Sequence, residues 1–222
     1  MKATKIDWCD CTINPVVGCP RGCEYCYARK MNARFGWVED FFKPQFFYKR
    51  LKQLNSKTPK SVFLDSMSDI EFWTDEWIEK VLGAIHENPQ HNYIFLTKNK
   101  ALPYELFYEQ AFKNSGNLFF GKSVTVNKQI EFTDNFNFEF LSIEPLLEPL
   151  KLDIKKKARL TQIIIGAETG NRKGKVIPKK EWVDSLVNQA DEYGIKVFMK
   201  ESLRQIMGDD FRQDKLIWEI NK

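Results

Sequence analysis

Three cysteines stand close together near the start of the chain, in the segment Gly18-Cys-Pro-Arg-Gly-Cys-Glu-Tyr-Cys-Tyr-Ala. Cys19, Cys23 and Cys26 have the spacing C-x3-C-x2-C, which on a tight loop presents three thiolates to one inorganic centre. Such a trio can hold three corners of a cubane [4Fe-4S] cluster and leave the fourth iron open to chelate a small molecule through an amine and a carboxylate. Structural zinc is the competing reading. Zinc sites favour paired C-x2-C units with a fourth Cys or His, however, and neither His86 nor His91 lies in a second unit of that kind. Cys9 and Cys11 offer a fourth ligand or a second thiol pair, but residues two apart on an extended segment share a face and more often pack or meet solvent, so the two are read as non-ligating. A secreted disulfide framework would spread its cysteines along the chain. All five here are crowded at the N-terminal end, which is the pattern of metal or thiol chemistry in a reducing compartment.

A site of this kind must be held by regular elements, and short apolar runs bounded by turn residues supply them. They are Ser61-Val-Phe-Leu-Asp, Tyr93-Ile-Phe-Leu-Thr, Leu118-Phe-Phe-Gly-Lys-Ser-Val, Phe138-Glu-Phe-Leu-Ser-Ile, Gln162-Ile-Ile-Ile-Gly and Lys196-Val-Phe-Met-Lys. Most are apolar almost throughout, as strands covered on both faces require. Between them lie helical patterns. Thr74 can cap a helix whose first turn holds Asp75 and Glu76, followed by Trp77, Ile78, Val81, Leu82 and Ile85 at helical spacing. Another begins near Pro178, carries Trp182, Val183, Leu186, Val187 and Ala190 inward, and stops at Gly194. With a first strand around Thr12 to Val17, the pattern predicts an α/β fold, a complete or partial (β/α) barrel of six to seven parallel strands or a doubly wound sheet. Ligands of either architecture sit at the carboxyl ends of the strands. Nothing divides the chain, so 1–222 reads as one domain, with a cysteine loop at 18–27, an aromatic-rich insertion at 35–48 and a short C-terminal extension at 203–222.

The cysteine segment also carries a resemblance. C-x3-C-x2-C with an aromatic, Tyr25, just before the last cysteine resembles the signature of the radical SAM superfamily. The resemblance implies a radical SAM type of barrel with a [4Fe-4S] cluster on Cys19, Cys23 and Cys26. It further implies S-adenosylmethionine (SAM) at the open iron, an external one-electron donor such as flavodoxin or ferredoxin, and a 5′-deoxyadenosyl radical that abstracts hydrogen from a substrate. The cofactor supplies that chemistry, and the protein supplies orientation and exclusion of water.

Carried to the strand ends, the resemblance names further cofactor-binding candidates. Tyr25 belongs to the signature itself. Asp65, Ser66 and Ser68 follow the second predicted strand, where the superfamily contacts the methionyl amine, although Asp65-Ser-Met-Ser-Asp departs from the usual Gly-Gly-Glu. Asp69 is expected to cap the next turn. Ser123 and Thr125 end the fourth strand, where hydroxyls reach the ribose or carboxylate of SAM. Gln162-Ile-Ile-Ile-Gly-Ala-Glu resembles the adenine-binding motif G-x-I-x-G-x-x-E without its first Gly. Gly166 and Glu168 are therefore candidates for either the SAM site or the substrate pocket.

From about residue 6 to 203 the chain resembles a group of short, phage- and prophage-associated radical-SAM-like proteins of unassigned activity, distantly similar to spore photoproduct lyase. The matching landmarks include Asn14-Pro-Val-Val-Gly-Cys, Phe63-Leu-Asp-Ser-Met-Ser-Asp, Ser142-Ile-Glu-Pro-Leu and Ile165-Gly-Ala-Glu-Thr-Gly. Members usually differ at Cys9 and Cys11, and commonly carry Gln in place of Glu201.

Lys98, Glu144, Glu168, Lys200 and Glu201 lie at predicted strand ends beyond the presumed SAM contacts. Burying such charges is costly unless they pair or bind something, so the first four are read as catalytic candidates facing a polar substrate, with mutual pairing as the plainer alternative. Composition narrows the class. At 43% hydrophobic residues the chain can bury a core, and its longest apolar runs are far short of a membrane span, which points to a cytoplasmic protein with no membrane partner. Net charge is only +4, with basic groups at 49–60, 151–159 and 172–180 that read first as solvated faces. The aromatics from Phe35 to Tyr48 read mostly as core. A nucleotide or nucleic-acid substrate is thus admitted without being required. The competing function is a non-catalytic iron-sulfur or zinc protein that binds nucleic acid or a protein partner.

Overall fold

Runs of buried β-branched and aromatic residues build the strands, and the helices between them bury one face each. The computed structural model describes residues 1, 4–100, 116–129, 138–152 and 159–219. Residues 153–158 of the basic group at 151–159 lie outside the described residues.

The strands are β1 (Cys11–Thr12), β2 (Val16–Val17), β3 (Gln45–Phe46), β4 (Ser61–Phe63), β5 (Asn92–Thr97), β6 (Leu118–Val124), β7 (Phe140–Ile143), β8 (Gln162–Ile165) and β9 (Lys196–Met199). Seven of them form one sheet in the order β1-β4-β5-β6-β7-β8-β9. Its ladders are parallel at β1–β4, β4–β5, β6–β7, β7–β8 and β8–β9. Within this sheet the strands stand in chain order, β2 and β3 forming a separate pair, without the reversal that marks a doubly wound sheet. This is the topology of a partial (β/α) barrel.

The expected first strand from Thr12 to Val17 is in fact two. Cys11 and Thr12 pair with Val62 and Phe63 in the large sheet, whereas Val16 and Val17 pair antiparallel with Phe46 and Gln45. Pro15 sits at the break, and with no N–H to give it cannot continue the ladder. The aromatic-rich stretch therefore supplies β3, partner to the segment that leads into the cysteine loop.

The chain folds as two compact units, the first built on Met1–Thr97 and the second on Phe120–Glu219 with Lys98. In the first, helix α1 (Tyr27–Phe35) starts at Cys26, and α2 (Asp75–His86) starts at Thr74, whose hydroxyl accepts from the Trp77 N–H at 3.3 Å. Helix α2 buries Ile78, Val81, Leu82 and Ile85, the stripe that the periodicity predicts. Trp77 is only half-buried and stacks on Phe46, ring centroids 5.8 Å apart.

In the second unit, α3 (Lys180–Glu192) buries Val183, Leu186 and Ala190. It ends where Gly194 takes φ 66°, letting the Ile195 N–H reach the Ala190 carbonyl at 2.8 Å. The C-terminal extension is packed on β9. Met199 donates to the Arg212 carbonyl at 2.9 Å, and Asp214 donates to the Val197 carbonyl at 2.8 Å while its side chain accepts from the Val197 N–H. Trp218 is fully buried against Phe140, ring centroids 4.6 Å apart.

Gly121 on β6 leaves room for the Phe140 ring, which lies where a Cβ would project. That ring is itself fully buried and backed by Trp218, so it has nowhere to retreat. Gly121→Ala is expected to cost about 1–3 kcal/mol. Urea unfolding should show a lower midpoint at unchanged slope, and an unchanged midpoint would refute the packing argument.

Candidate functional site

The cysteine loop begins on a glycine that nothing else can replace without movement. Gly18 has φ 116°, and a Cβ there would lie 2.9 Å from the Pro44 Cα. Its N–H donates to the Met67 carbonyl at 3.0 Å, and the Cys19 N–H donates to the Phe41 carbonyl at 2.7 Å. Met67 lies just beyond β4, so these bonds hold the loop at the carboxyl end of a parallel strand. Cys26 closes the loop: its N–H donates to the Cys23 carbonyl at 3.2 Å, and its Sγ accepts from the Arg29 N–H at 3.4 Å as the N-cap of α1. Arg29 also donates to the Cys23 carbonyl, at 3.1 Å.

All three thiols are half-buried. Cys19 and Cys26 pack against one apolar cluster formed by Val17, Ala28, Val38, Phe41 and Met67. Burial pushes the Cys19 thiol up to about 11, opposed by a backbone N–H bond from Arg21 and reinforced by Asp69, Cys26 and Cys23. The bare loop therefore keeps Cys19 protonated, a proton that metal binding would displace. Among the described residues no group of three His, Cys, Asp or Glu is gathered tightly enough to hold a metal ion. What fits an iron-sulfur cluster is the donor set, cysteine sulfur in an apolar setting on a backbone already fixed at both ends of the loop.

The segment Asp65 to Asp69 packs beneath this loop. Asp65 is buried, and its two oxygens accept from the Leu96 N–H of β5 at 3.1 and 3.2 Å. Ser66 donates to the Asn14 side chain at 2.9 Å, and its carbonyl accepts from the Tyr27 hydroxyl at 2.6 Å. Ser68 accepts from the Trp73 indole N–H at 3.0 Å. Asp69 caps the following turn by accepting from the Glu71 N–H, as the sequence predicts, and also accepts from the Thr97 hydroxyl at 2.6 Å. Arg21 of the cysteine loop pairs with Asp69 at 3.4 Å and with Glu71. Thus Asp65 braces two strands, while Ser66 and Ser68 hold local turns. Tyr25 is half-buried. Asn14, Arg21 and Tyr27 hold this segment to the loop without standing among the site candidates that the sequence yields. Only the adjacency of Arg21 and Tyr27 to the cysteines could have marked them.

The second unit gathers the remaining candidates into separate pairs. Lys98 donates to the Ser123 hydroxyl at 2.7 Å. Lys200 pairs with Glu144, and the two flank Gly166, where a Cβ would lie 2.9 Å from the Lys200 Cδ and 3.3 Å from the Glu144 Cγ. Glu168 is buried and takes a two-pronged contact from Arg172, at 2.6 and 2.8 Å. The Thr125 hydroxyl donates to Gln129 at 3.1 Å. Glu201 is exposed and pairs with Arg204. Lys200 with Glu144 follows the pairing alternative, whereas Glu168 finds an arginine from the basic group at 172–180 rather than a lysine. Lys122, buried within β6, went unremarked in the sequence because its neighbours gave no sign that it points inward.

Burial, and next the charge of Asp69, holds the Asp65 carboxyl well above its ordinary value of 3.8. Far below that value folded and unfolded chains both keep the proton, and the carboxyl's contribution to stability is complete. As pH rises, the unfolded chain ionises first, and that contribution is lost until the folded carboxyl ionises too. Asp65→Asn removes the titration while leaving an oxygen for the Leu96 N–H. The unfolding free energy of this variant relative to the natural chain is expected to increase between about pH 4.5 and pH 7.5, and a difference flat across that range would refute the assignment.

No curated protein and no solved structure matches the chain. Residues 3–210 match a family described as Protein of unknown function (DUF5131), and since the match spans nearly the whole sequence, the chain belongs to that family.

Proposed function

We infer that this protein is a radical SAM enzyme, with Cys19, Cys23 and Cys26 holding a [4Fe-4S] cluster and SAM as cosubstrate or cofactor. The observation that supports this most directly is the cysteine loop itself. Three half-buried thiols lie on a backbone tied to the carboxyl end of β4 through Gly18 and to the start of α1 through Cys26. A cluster held by Cys19, Cys23 and Cys26 would supply reductive cleavage of SAM for hydrogen abstraction from the substrate, its electron drawn from an external donor of the flavodoxin or ferredoxin class.

The chain's own residues orient and shield. The apolar wall of Val17, Val38, Phe41 and Met67 keeps water from the Cys19 and Cys26 side of the loop. The Arg21 backbone N–H bonds the Cys19 thiol, and its guanidinium, paired with Asp69 and Glu71, ties the loop to the turn after β4. Tyr27 and Asn14 hold the Ser66 turn in register with the loop. In the second unit the Lys200–Glu144 and Lys98–Ser123 pairs can exchange partners with a polar substrate without leaving a bare buried charge.

Anaerobic reconstitution is the test. The reading expects about four irons per chain and 5′-deoxyadenosine formed from SAM only when dithionite is present, with both lost in Cys23→Ala. Protein that takes up zinc and leaves SAM intact would instead establish a non-catalytic metal protein.

A further inference from the structure

Helix α1 and the stretch after it, residues 27–52, hold seven basic residues against two acidic ones, a net of +5 where the whole chain carries +4. The remainder is close to neutral, and the positive field is concentrated on the segment that follows the cysteine loop. Large rings reach solvent on the same stretch, although Phe35 is stacked on Trp37 with ring centroids 5.1 Å apart. Phe35 is 54% exposed, Phe42 48% and Tyr48 60%. Folded chains do not normally leave several such rings in one short segment to water. Cations lie over two of them: the Arg29 guanidinium is 5.8 Å from the Phe42 centroid, and that of Arg34 is 5.2 Å from the Phe35 centroid. Phe42 is also the side chain nearest Gly22, 3.9 Å from where a Cβ would stand, and Arg29 donates to the Cys23 carbonyl. One guanidinium of this surface therefore bonds the cysteine loop itself, and one ring faces it at Gly22.

The combination selects the partner. An acidic folded protein would answer the charge and bury the rings only through a broad apolar core with a polar rim, whereas here basic residues and rings are interspersed along one short segment. A single nucleic-acid strand uses both, its phosphates meeting Arg and Lys while its bases stack on the aromatics. We propose that this surface binds single-stranded nucleic acid, with a base stacked on Phe42 at the rim of the cysteine loop. The assignment names the substrate class for the radical chemistry proposed above and rests on that reading for the reaction, while strand binding itself requires no turnover.

Fluorescence anisotropy of the full chain with a labelled oligothymidylate tests it, beside an abasic strand of the same length and heparin. Oligothymidylate is expected to bind, with an affinity that falls as salt rises by a log–log slope of about 0.7 per phosphate contacted. Phe42→Ala should weaken that binding on the order of ten-fold, and leave the abasic strand unchanged. Phe42→Trp should preserve it, which separates stacking from misfolding. Lys30→Gln should lower the salt slope, while Lys128→Ala, on the second unit, should not. Equal affinity for heparin, the abasic strand and oligothymidylate, indifferent to Phe42→Ala, would overturn the proposal in favour of a general polyanion surface, as would no binding to any strand at low salt. Formation of 5′-deoxyadenosine is followed in parallel. Its persistence without strand binding removes the docking surface alone, and strand binding without it removes only the proposed reaction.

Discussion

Two acidic side chains, Asp65 and Asp69, lie buried four residues apart at the end of β4, and burial, then the charge of Asp69, raises the cost of ionising Asp65. A low-dielectric interior does not tolerate such a pair unless donors meet it from several directions. The donors come from three places: the Leu96 N–H and Thr97 hydroxyl on β5, the turn beginning at Ile70, and Arg21 on the cysteine loop. Because Arg21 lies between Cys19 and Cys23, the requirement to neutralise Asp69 also fixes where the thiols stand. The first unit is organised around this arrangement: strand end, turn and cysteine loop share one set of charges, and disturbing any of them disturbs the rest.

The second unit handles charge differently. At its strand ends Lys200 meets Glu144, Arg172 meets Glu168 and Lys98 rests on Ser123, while Lys180 and Arg212 each join two aspartates elsewhere in the unit.

Much of this was legible from the amino acids. The strands at Ser61, Tyr93, Leu118, Phe138, Gln162 and Lys196 announce themselves because both faces are covered and apolar character runs unbroken, and α2 because Thr74 and the stripe from Ile78 to Ile85 agree. The break after Thr12 was obscured by the apolar pair Val16-Val17, whose partner, Gln45-Phe46, lies far along the chain. Long-range pairing leaves no local periodicity to read. The site shows the same division. Cysteine spacing is a local signal and picks out the loop, whereas Arg21 reaching Asp69 and Arg172 reaching Glu168 depend on how side chains converge in space. Asp65, Ser66 and Ser68 were drawn to notice by position at a strand end, and the fold uses all three for its own bracing.

The tail past residue 210 falls beyond the family match, yet it does work on which the sheet depends. Strand β9 is the last in the order, and an uncovered terminal strand is a template for unwanted pairing with other chains. Arg212 and Asp214 occupy its backbone groups, and Trp218 seals the apolar layer beneath Phe140. A chain trimmed to the boundary of shared sequence would keep every residue of the cysteine loop while exposing a sticky margin, and its failing would be poor solubility rather than lost chemistry.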